Sequence, residues 1–562
     1  MPEPVALDSR PAGGAGTLLW ALVALAWVGA FMPDPWVIAT LPGMFGMLRV
    51  MERCQRFRNL VGLIALFGAL GIGFGYRWLA PTVEQFSGGR VGTVGSWALA
   101  ALFGVVGTIH IIVFAVVYRA LLRGNRRPHP LVTVALFVAC ESLPIRLFPW
   151  MAGHGAVNAP PLLQSASWGG VPAVSFVLLA LIVPVHEMWA SLGADRARAR
   201  VKAATFTFVV GAALFGWGHV RWEMLREQDE RATERVVVGI VQPDIGAGEK
   251  RGAERGYEDK KAATIAAYKV GSQAALDQGA ELIVWPETAI TDPIRLLEPK
   301  FDAANTRNTL SRYGWGFLDE LGTHATFLVG AYEQKALPPG AARSAGARDV
   351  ARQLQDNDQR YNVAALRPIG PAGPKAPVWS VYRKTYLIPF GETMPLGLPQ
   401  SMLPQGFLMR PAPTPSEALV WNGRRVVPFL CYEGILPEHV RETAGAEVPD
   451  LLVSLTNDSW FGDTWEPHQH LNFTRFRAVE HAAPLVRATN TGISAFVTAS
   501  GDVVETLGVG KEGVLVRPVP MVDRGRTLYA RYGHRLPWAL GAFVLLALLV
   551  GPFLPGGPRR TD

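Results

Sequence analysis

Long apolar runs separated by short polar loops fill the first 221 residues, and one more lies close to the C-terminal end. Because a transmembrane helix needs about 20 mostly apolar residues, the pattern predicts seven membrane spans and then an eighth. The first run follows neither a basic region nor a small-residue cleavage site, so it predicts a retained span rather than a signal peptide. The predicted spans are 16–32, 34–50, 59–79, 94–118, 131–149, 171–192, 203–221 and 536–555.

A different pattern begins at Val236, where short runs rich in β-branched residues alternate with polar, helix-forming stretches. This alternation is typical of a layered α/β domain. A long polar loop is predicted at 334–360. The predicted domains are a seven-span membrane domain (1–225), an extramembrane domain (226–525), and the eighth span with a short tail (526–562). The predicted strands include 236–244, 281–288, 325–333, 361–368, 378–390 and 424–430, and the predicted helices lie before about 275, near 436–444 and at about 466–482.

Composition and charge fit a membrane protein. Hydrophobic residues make up 49% of the chain and charged residues 18%, which is too apolar for an ordinary soluble protein. The predicted loops on one side of the membrane carry fourteen Lys and Arg residues, whereas those on the other carry only Arg77, Arg90 and Arg146. The positive-inside rule then predicts that both termini are cytoplasmic and that the extramembrane domain faces outward, into a bacterial periplasm. The net charge of +8 is explained by this topology and does not indicate nucleic-acid binding.

Two polar features of the chain have competing interpretations. Glu141 and Arg146 lie within or at the end of the fifth predicted span, where an interfacial ion pair is favoured over a functional intramembrane pair. His468 and His470 form an H-x-H pair, but without a nearby third ligand a structural role is favoured over metal binding. The three cysteines are widely spaced and predict no disulfide framework.

Three residues of the extramembrane domain have the chemistry of nucleophilic catalysis. Cys431 follows a predicted strand at the start of a helix, where backbone N–H groups favour a thiolate; a lone cysteine is otherwise most often a buried small hydrophobe. Glu287 ends an apolar strand, and partial desolvation suits it to act as a general base, although it could also cap a helix. Lys384 is predicted mid-strand, where its ammonium could face an oxyanion, pair with Glu287 or extend into solvent.

These three residues, in the peptides WPET, YRKTYLIPFGE and CYE, resemble the Glu-Lys-Cys triad of the nitrilase superfamily. The further peptides QPDI, PFGETMP, NDSWFGD, PHQHLNFTRFRAVE and RATNTGISA are similar to those of the apolipoprotein N-acyltransferase family. That resemblance covers nearly the whole chain and is strongest over 236–510. It implies eight transmembrane helices and a nitrilase-like α-β-β-α sandwich. The family often has a tryptophan soon after the first strand, but 246–257 contains none.

The resemblance also implies roles for individual residues. Glu287 would be the general base, Cys431 the nucleophile that forms an acyl-thioester, and Lys384 the group that stabilises the oxyanion. Glu392 would be a second essential carboxylate that positions Lys384 or relays protons. Tyr432 and Glu433 would support the nucleophile. The resemblance implies no metal and no cofactor.

The implied reaction is a two-step acyl transfer at the bacterial inner membrane. Cys431 would take an acyl chain from a phospholipid, with phosphatidylethanolamine favoured, and the amino group of an S-diacylglyceryl cysteine on an apolipoprotein would accept it. One alternative is a membrane-tethered amidase that hydrolyses small amides with the same triad. A transporter or receptor is a second alternative, but the spans contain no repeat suited to transport.

Overall fold

The computed structural model describes residues 14–123, 128–143, 146–192, 197–254, 257–294, 321, 325–334, 360–367, 380–394, 397, 399, 409–412, 414 and 416–550. Residues 335–359 of the predicted long loop lie outside this part of the chain. The chain divides into two compact units, one of residues 1–84, 91–226 and 527–562, and the other of residues 85–90 and 227–526.

The helices are numbered along the described chain. They are α1 (Gly14–Ala24), α2 (Thr40–Arg53), α3 (Phe57–Phe67), α4 (Gly73–Gly75), α5 (Leu79–Phe86), α6 (Gly92–Gly107), α7 (Ile109–Arg123), α8 (Pro130–Ser142), α9 (Pro160–Leu163), α10 (Ala166–Gly169), α11 (Val171–Ala190), α12 (Ala197–Arg231), α13 (Ala247–Glu254), α14 (Glu258–Asp277), α15 (Pro437–Ala444), α16 (Glu466–His481), α17 (Leu528–Tyr532) and α18 (Leu536–Val550).

Four helical segments among the described residues are long and apolar enough to cross a membrane: Phe57–Gly75, Gly92–Leu122, Val171–Ala190 and Arg198–Glu230. They overlap the third, fourth, sixth and seventh predicted spans. The shorter apolar helices Gly16–Phe31, Pro130–Ser142 and Leu536–Leu549 overlap the first, fifth and eighth.

Two predicted spans differ from the helices observed. In the second, 34–50, Val37–Ala39 form a 3₁₀ turn and the regular helix α2 begins at Thr40. The prolines at 33 and 35 restrict the backbone before this turn. The seventh, 203–221, continues as α12 to Arg231, because its polar end consists of helix-forming residues and carries pairs such as Arg226 with Glu223.

The contact between Glu141 and Arg146 runs through the backbone. The Arg146 guanidinium donates to the carbonyl oxygens of Glu141 and Trp150. The carboxylate of Glu141 accepts a hydrogen bond from the Ala152 N–H at 3.0 Å. The side chains of Glu141 and Arg146 therefore both have backbone hydrogen-bond partners within the first compact unit.

Twelve strands lie in the described part of the second unit. They are β1 (Arg235–Gln242), β2 (Leu282–Ile294), β3 (Thr326–Gln334), β4 (Arg360–Arg367), β5 (Ser380–Arg383), β6 (Leu419–Trp421), β7 (Arg424–Leu430), β8 (Leu451–Thr456), β9 (Leu485–Thr489), β10 (Ser494–Val497), β11 (Val503–Leu507) and β12 (Gly513–Pro520). They form two six-stranded sheets with the orders β12-β1-β2-β3-β4-β5 and β11-β10-β9-β8-β7-β6. Strands β1, β2 and β3 are parallel to one another, as are β7, β8 and β9.

Apolar side chains point alternately to the two faces of each sheet and form three apolar layers. Val236, Val238 and Ile240 of β1 belong to the core shared by the two sheets, whereas Val241 packs with Tyr268 of α14 on the outer face of its sheet. A third layer packs α15 and α16 against the other sheet. Helices therefore cover the outer faces of two sheets that pack face to face, which confirms the predicted α-β-β-α sandwich.

Sequence reasoning missed or misplaced several strands of this unit. The short β6 and the proline-containing β12 were not predicted; β12 pairs antiparallel with β1 at the edge of its sheet, where proline is tolerated. The strand predicted at 378–390 was too long. Because β5 ends at Arg383, Lys384 lies directly after a strand rather than in the middle of one.

The side chain of Gln242 joins the two sheets at one edge. Its amide oxygen accepts hydrogen bonds from the hydroxyls of Ser494, at 2.5 Å, and Thr489, at 2.9 Å. Its amide nitrogen donates to the carbonyls of Gly508 and Lys511. These partners are buried or part-buried, so their polar atoms need hydrogen bonds. By supplying them, the Gln242 side chain fixes the positions of the strand ends of the two sheets relative to each other.

A bulge in β2 depends on a glycine in β3. Trp285 pairs with Val329 and Ile290 with Ala331, so the intervening residues of β2, including Glu287, bulge out of the ladder. A Cβ on Gly330 would lie 2.2 Å from the Pro286 carbonyl oxygen and 2.6 Å from the Glu287 Cα. Only glycine allows this close approach of the two strands.

We expect Gly330→Ala to destabilise the second unit by about 1–3 kcal/mol, because the added methyl group must displace backbone. The midpoint of thermal unfolding of the full-length protein in detergent measures this effect. Gly508→Ala is the matched control, because nothing lies within 4 Å of its Cβ position. Equal midpoints for the two variants would contradict the close packing described here.

Candidate active site

Cys431 lies at a sharp turn between strand and helix. Strand β7 ends at Leu430, and a 3₁₀ helix runs from Cys431 to Ile435. The backbone of Cys431 has φ +48°, a left-handed conformation that non-glycine residues seldom adopt. Its carbonyl oxygen lies 3.2 Å from the Nε2 atom of His470. Such strain persists only where the surroundings impose it, and it is common at functional sites.

Glu287 and Lys384 are joined by a buried ion pair. The Oε1 atom of Glu287 accepts hydrogen bonds from Lys384 Nζ at 2.9 Å and from Asn362 Nδ2 at 2.7 Å. Both charged side chains are almost fully buried. Buried ions are tolerated when they are paired and hydrogen-bonded, and this pair meets both conditions.

A second carboxylate contacts the same ammonium. Lys384 Nζ donates to Glu392 Oε1 at 2.9 Å, while Glu392 Oε2 accepts from the Ile388 N–H at 2.9 Å. Burial lowers the pKa of Lys384, but Glu287 and Glu392 outweigh it and hold that pKa well above its usual value. Burial raises the pKa of Glu392 despite the nearby lysine. Lys384 therefore stays protonated.

The electrostatic surroundings of Cys431 disfavour its thiolate. Burial and then the Glu287 carboxylate raise the pKa of the thiol well above its ordinary value, against a lowering influence from Lys384. The predicted stabilisation of a resting thiolate by the helix start is therefore wrong, because desolvation and a neighbouring anion outweigh it. The Cys431 thiol is therefore neutral at rest, and a base is needed to take its proton.

Glu433 connects the nucleophile turn to the segment after Lys384. Its carboxylate is fully buried and accepts hydrogen bonds from both sides of the site. Burial raises the pKa of Glu433, but His439 and other donors outweigh this effect and lower that pKa below its ordinary value. The donors are Leu430 N at 2.9 Å, Tyr382 Oη at 2.7 Å, Thr385 N at 2.6 Å, Tyr386 N at 3.1 Å and His439 Nε2 at 3.2 Å. A positioning role for Glu433 is consistent with these contacts.

Tyr432 is buried beside the nucleophile, and burial raises the pKa of its phenol to about 12. It therefore stays neutral near pH 7. Of the residues singled out from the sequence, the structure brings Glu287, Lys384, Glu392 and Cys431 into one electrostatically coupled group. It places Tyr432 and Glu433 in the turn that carries Cys431.

An ion network that sequence reasoning missed lies behind Cys431. Asp458 follows β8 and pairs with the buried Arg487 at 2.8 Å; its other oxygen lies 3.2 Å from His470 Nδ1. Asp458 also accepts from the hydroxyl of Thr456 at 3.1 Å. His470 thus connects the NDSWFGD segment to the Cys431 carbonyl, which fits the structural role predicted for the PHQH peptide.

The same network contains a possible ligand set for a metal. The side-chain atoms of Asp458, Glu466 and His470 that could coordinate a metal ion lie within 4.8 Å of one another. However, Arg487 already occupies one oxygen of Asp458, and burial and then Asp458 raise the pKa of Glu466 well above its usual value. A guanidinium and a neutral acid fit a hydrogen-bonded network better than a cation site.

Comparisons with known proteins agree with these features. The carbon-nitrogen hydrolase family model matches residues 238–529, and the model for the apolipoprotein N-acyltransferase N-terminal domain matches residues 23–184. A protein of Bradyrhizobium diazoefficiens named apolipoprotein N-acyltransferase is 30% identical over 414 residues, which are 72% of this chain and 68% of that protein. A protein of the same name from Bdellovibrio bacteriovorus is 28% identical over 519 residues, which are 87% of this chain and 85% of that protein.

Solved structures similar to this chain include a mutant of the Nesterenkonia AN1 amidase from the nitrilase superfamily. It is 19% identical with a TM-score of 0.32, and the match covers 51% of this chain and 91% of the amidase. A carbon-nitrogen hydrolase from Helicobacter pylori is 15% identical with a TM-score of 0.32, and the match covers 55% of this chain and 94% of the hydrolase.

Glu433→Gln tests the connection through Glu433. The new amide places an N–H group against N–H donors, so we expect a loss of about 2–4 kcal/mol of stability at neutral pH. The pKa of Glu433 is lower in the folded protein than in the unfolded chain. The Glu433 carboxylate therefore stabilises the fold fully at pH values above the ordinary glutamate pKa, and this contribution is lost as the pH falls through the pKa of the folded protein. The difference in thermal midpoint between wild type and variant should therefore shrink on acidification.

Glu438→Gln is the control for this experiment, because Glu438 forms a partly exposed ion pair with Arg441 that is worth at most about 1 kcal/mol. A pH-independent difference between Glu433→Gln and wild type would show that Glu433 is not held as a carboxylate.

Proposed function

This chain belongs to the apolipoprotein N-acyltransferase family, and on that premise we propose that Cys431 carries the acyl group which the enzyme transfers to the N-terminus of a lipoprotein. The observation that carries the proposal is the arrangement of a neutral thiol, a buried carboxylate and a buried ammonium in one site. These groups supply the nucleophile, the base and the oxyanion partner of acyl transfer.

In the first half-reaction, Glu287 takes the proton of the Cys431 thiol, and the thiolate attacks the ester carbonyl of a phospholipid. Negative charge develops on the carbonyl oxygen, where the Lys384 ammonium stabilises it. As the tetrahedral intermediate collapses, the ester C–O bond breaks and Glu287 returns its proton to the departing lysophospholipid. The product is a thioester between Cys431 and the acyl chain.

In the second half-reaction, the amino group of an S-diacylglyceryl cysteine attacks the thioester. Glu287 takes a proton from this nitrogen, and Lys384 again stabilises the oxyanion. The C–S bond breaks, the amide is released, and Cys431 regains a proton from Glu287. Glu392 keeps Lys384 in place while Glu287 is protonated, and Glu433 and Tyr432 hold the nucleophile turn.

Location at the membrane follows from the same proposal, because both substrates are anchored in lipid. We propose eight transmembrane helices, with domains at 1–225, 226–525 and 526–562, in the bacterial inner membrane. The asymmetry of Lys and Arg among the loops supports cytoplasmic termini and a periplasmic catalytic domain.

A trapping experiment tests the nucleophile. Full-length enzyme incubated with phospholipid labelled in its acyl chain should acquire one label, and Cys431→Ala should acquire none, because the thioester cannot form. Hydroxylamine should release the label from wild type. Equal labelling of Cys431→Ala would overturn the proposal.

Transfer is distinguished from hydrolysis by the fate of the trapped label. We expect a diacylated lipopeptide to take up the labelled acyl chain as an amide, with little release of free fatty acid. Release of fatty acid at the same rate with and without lipopeptide would instead favour a hydrolase.

Reporter fusions test the topology. Alkaline phosphatase inserted near residue 510, in the loop after β11, should be active, because it would lie in the periplasm, whereas fusions at either terminus should be inactive. An active C-terminal fusion would contradict the eight-span arrangement.

A further inference from the structure

Helix α13 carries a lysine whose ammonium reaches the catalytic residues. This helix lies within 246–257, the segment that contains no tryptophan. Lys250 is only 6% exposed, although lysine is almost never fully buried without partners. The contacts of its ammonium must therefore compensate for the lost hydration.

The Lys250 ammonium has three acceptors. Nζ lies 3.2 Å from the backbone carbonyl oxygen of Glu287 and within hydrogen-bond distance of the Thr288 hydroxyl. With the amide of Asn457 oriented to satisfy both of its ends, the Asn457 oxygen accepts from Nζ at 2.9 Å. Because an ammonium has three N–H donors, these contacts can use all of them.

Two of the acceptors belong to the bulge that directs Glu287. Thr288 has φ +49°, an outlier for a β-branched residue. The bulge leaves its residues outside the regular ladder with β3, so other groups must fix their conformation. Lys250 binds both the carbonyl of Glu287 and the side chain of Thr288, and so restrains the backbone from which the Glu287 carboxylate projects.

The third acceptor connects Lys250 to the nucleophile side of the site. Asn457 immediately precedes Asp458, which contacts His470, and His470 contacts the Cys431 carbonyl. One ammonium therefore bonds both to the strand that carries the base and to the network behind the nucleophile.

We propose that Lys250 is a positioning residue for Glu287, which holds the β2 bulge so that the carboxylate faces Lys384 and Cys431. This inference rests on the proposed role of Glu287 as the base. Since the base acts in both half-reactions, loss of Lys250 slows both of them.

Lys250→Met in the full-length enzyme tests this inference, because methionine keeps much of the apolar stem and removes the ammonium. We expect acylation of Cys431 by labelled phospholipid to slow by roughly 10- to 100-fold, as for a displaced catalytic group, with little change in the half-saturating phospholipid concentration. Lys250→Arg, which keeps a cationic hydrogen-bond donor, should restore the rate in part.

Four further variants separate positioning from mere anchoring of α13. Lys260→Met removes a more exposed lysine on the neighbouring helix α14 and should leave the rate unchanged. Thr288→Val, which removes the acceptor, should slow acylation, whereas Thr288→Ser, which keeps the hydroxyl, should not. Because Lys250→Met already removes the contact with Thr288, the double variant Lys250→Met/Thr288→Val should be little slower than Lys250→Met alone.

Acylation of Lys250→Met at the wild-type rate would overturn the inference. So would a slower rate with no rescue by Lys250→Arg and fully additive effects of the two substitutions, which would identify Lys250 as a structural anchor. If Lys250→Met fails to fold, as judged by its thermal unfolding, the comparison of Thr288→Val with Thr288→Ser decides the question. Failure of the wild-type enzyme to form any acyl-enzyme would instead count against the proposed function.

Discussion

The buried ammonium of Lys384 between two carboxylates is the interaction on which the site depends. An isolated lysine in this position would lose its proton, because burial disfavours the charged form. Glu287 and Glu392 outweigh that effect. Asn362 donates a second hydrogen bond to the Glu287 oxygen that contacts Lys384, and the Ile388 N–H donates to Glu392. The site therefore contains a permanent positive charge in a place from which water is largely excluded.

This fixed charge allows negative charge to move without leaving its counterion. When Glu287 takes the thiol proton, one negative charge passes from the carboxylate to sulfur and then to the oxyanion of the proposed intermediate. Each of these positions lies in the field of Lys384, and a second carboxylate is needed because Glu287 is neutral during part of the cycle. Glu392 is suited to that need, since it bonds to the ammonium independently of Glu287.

The sandwich fold and the proposed triad followed from the sequence because they rest on local patterns. Alternation identified most strands of the sandwich, and the peptides around Glu287 and Cys431 follow strand ends, where parallel sheets collect functional groups. Lys384 was misplaced by local reasoning, because its strand ends early where the Glu433 carboxylate binds the backbone of Thr385 and Tyr386. A contact between residues almost 50 positions apart leaves no periodic signal in the sequence.

The same limit explains which residues were missed. Asn362, Asp458 and Arg487 are ordinary polar residues until the fold brings them together, and Lys250 lies in a stretch that looks like an exposed polar helix. Gln242 was noticed only within a family peptide, yet it joins strand ends of the two sheets. Long-range polar contacts of this kind depend on sheet packing, which hydrophobic periodicity does not specify.

In the proposed mechanism, the high pKa of the Cys431 thiol affects the acyl-enzyme as well as the free enzyme. A thiolate that is costly to form is also a poor leaving group, so a thioester at Cys431 resists attack unless Glu287 and Lys384 assist the attacking group. Water gains that assistance only if it reaches the buried base. An amine delivered by a lipid-anchored acceptor arrives at high local concentration and is the stronger nucleophile. The desolvation that suppresses the resting thiolate thus also favours transfer over hydrolysis.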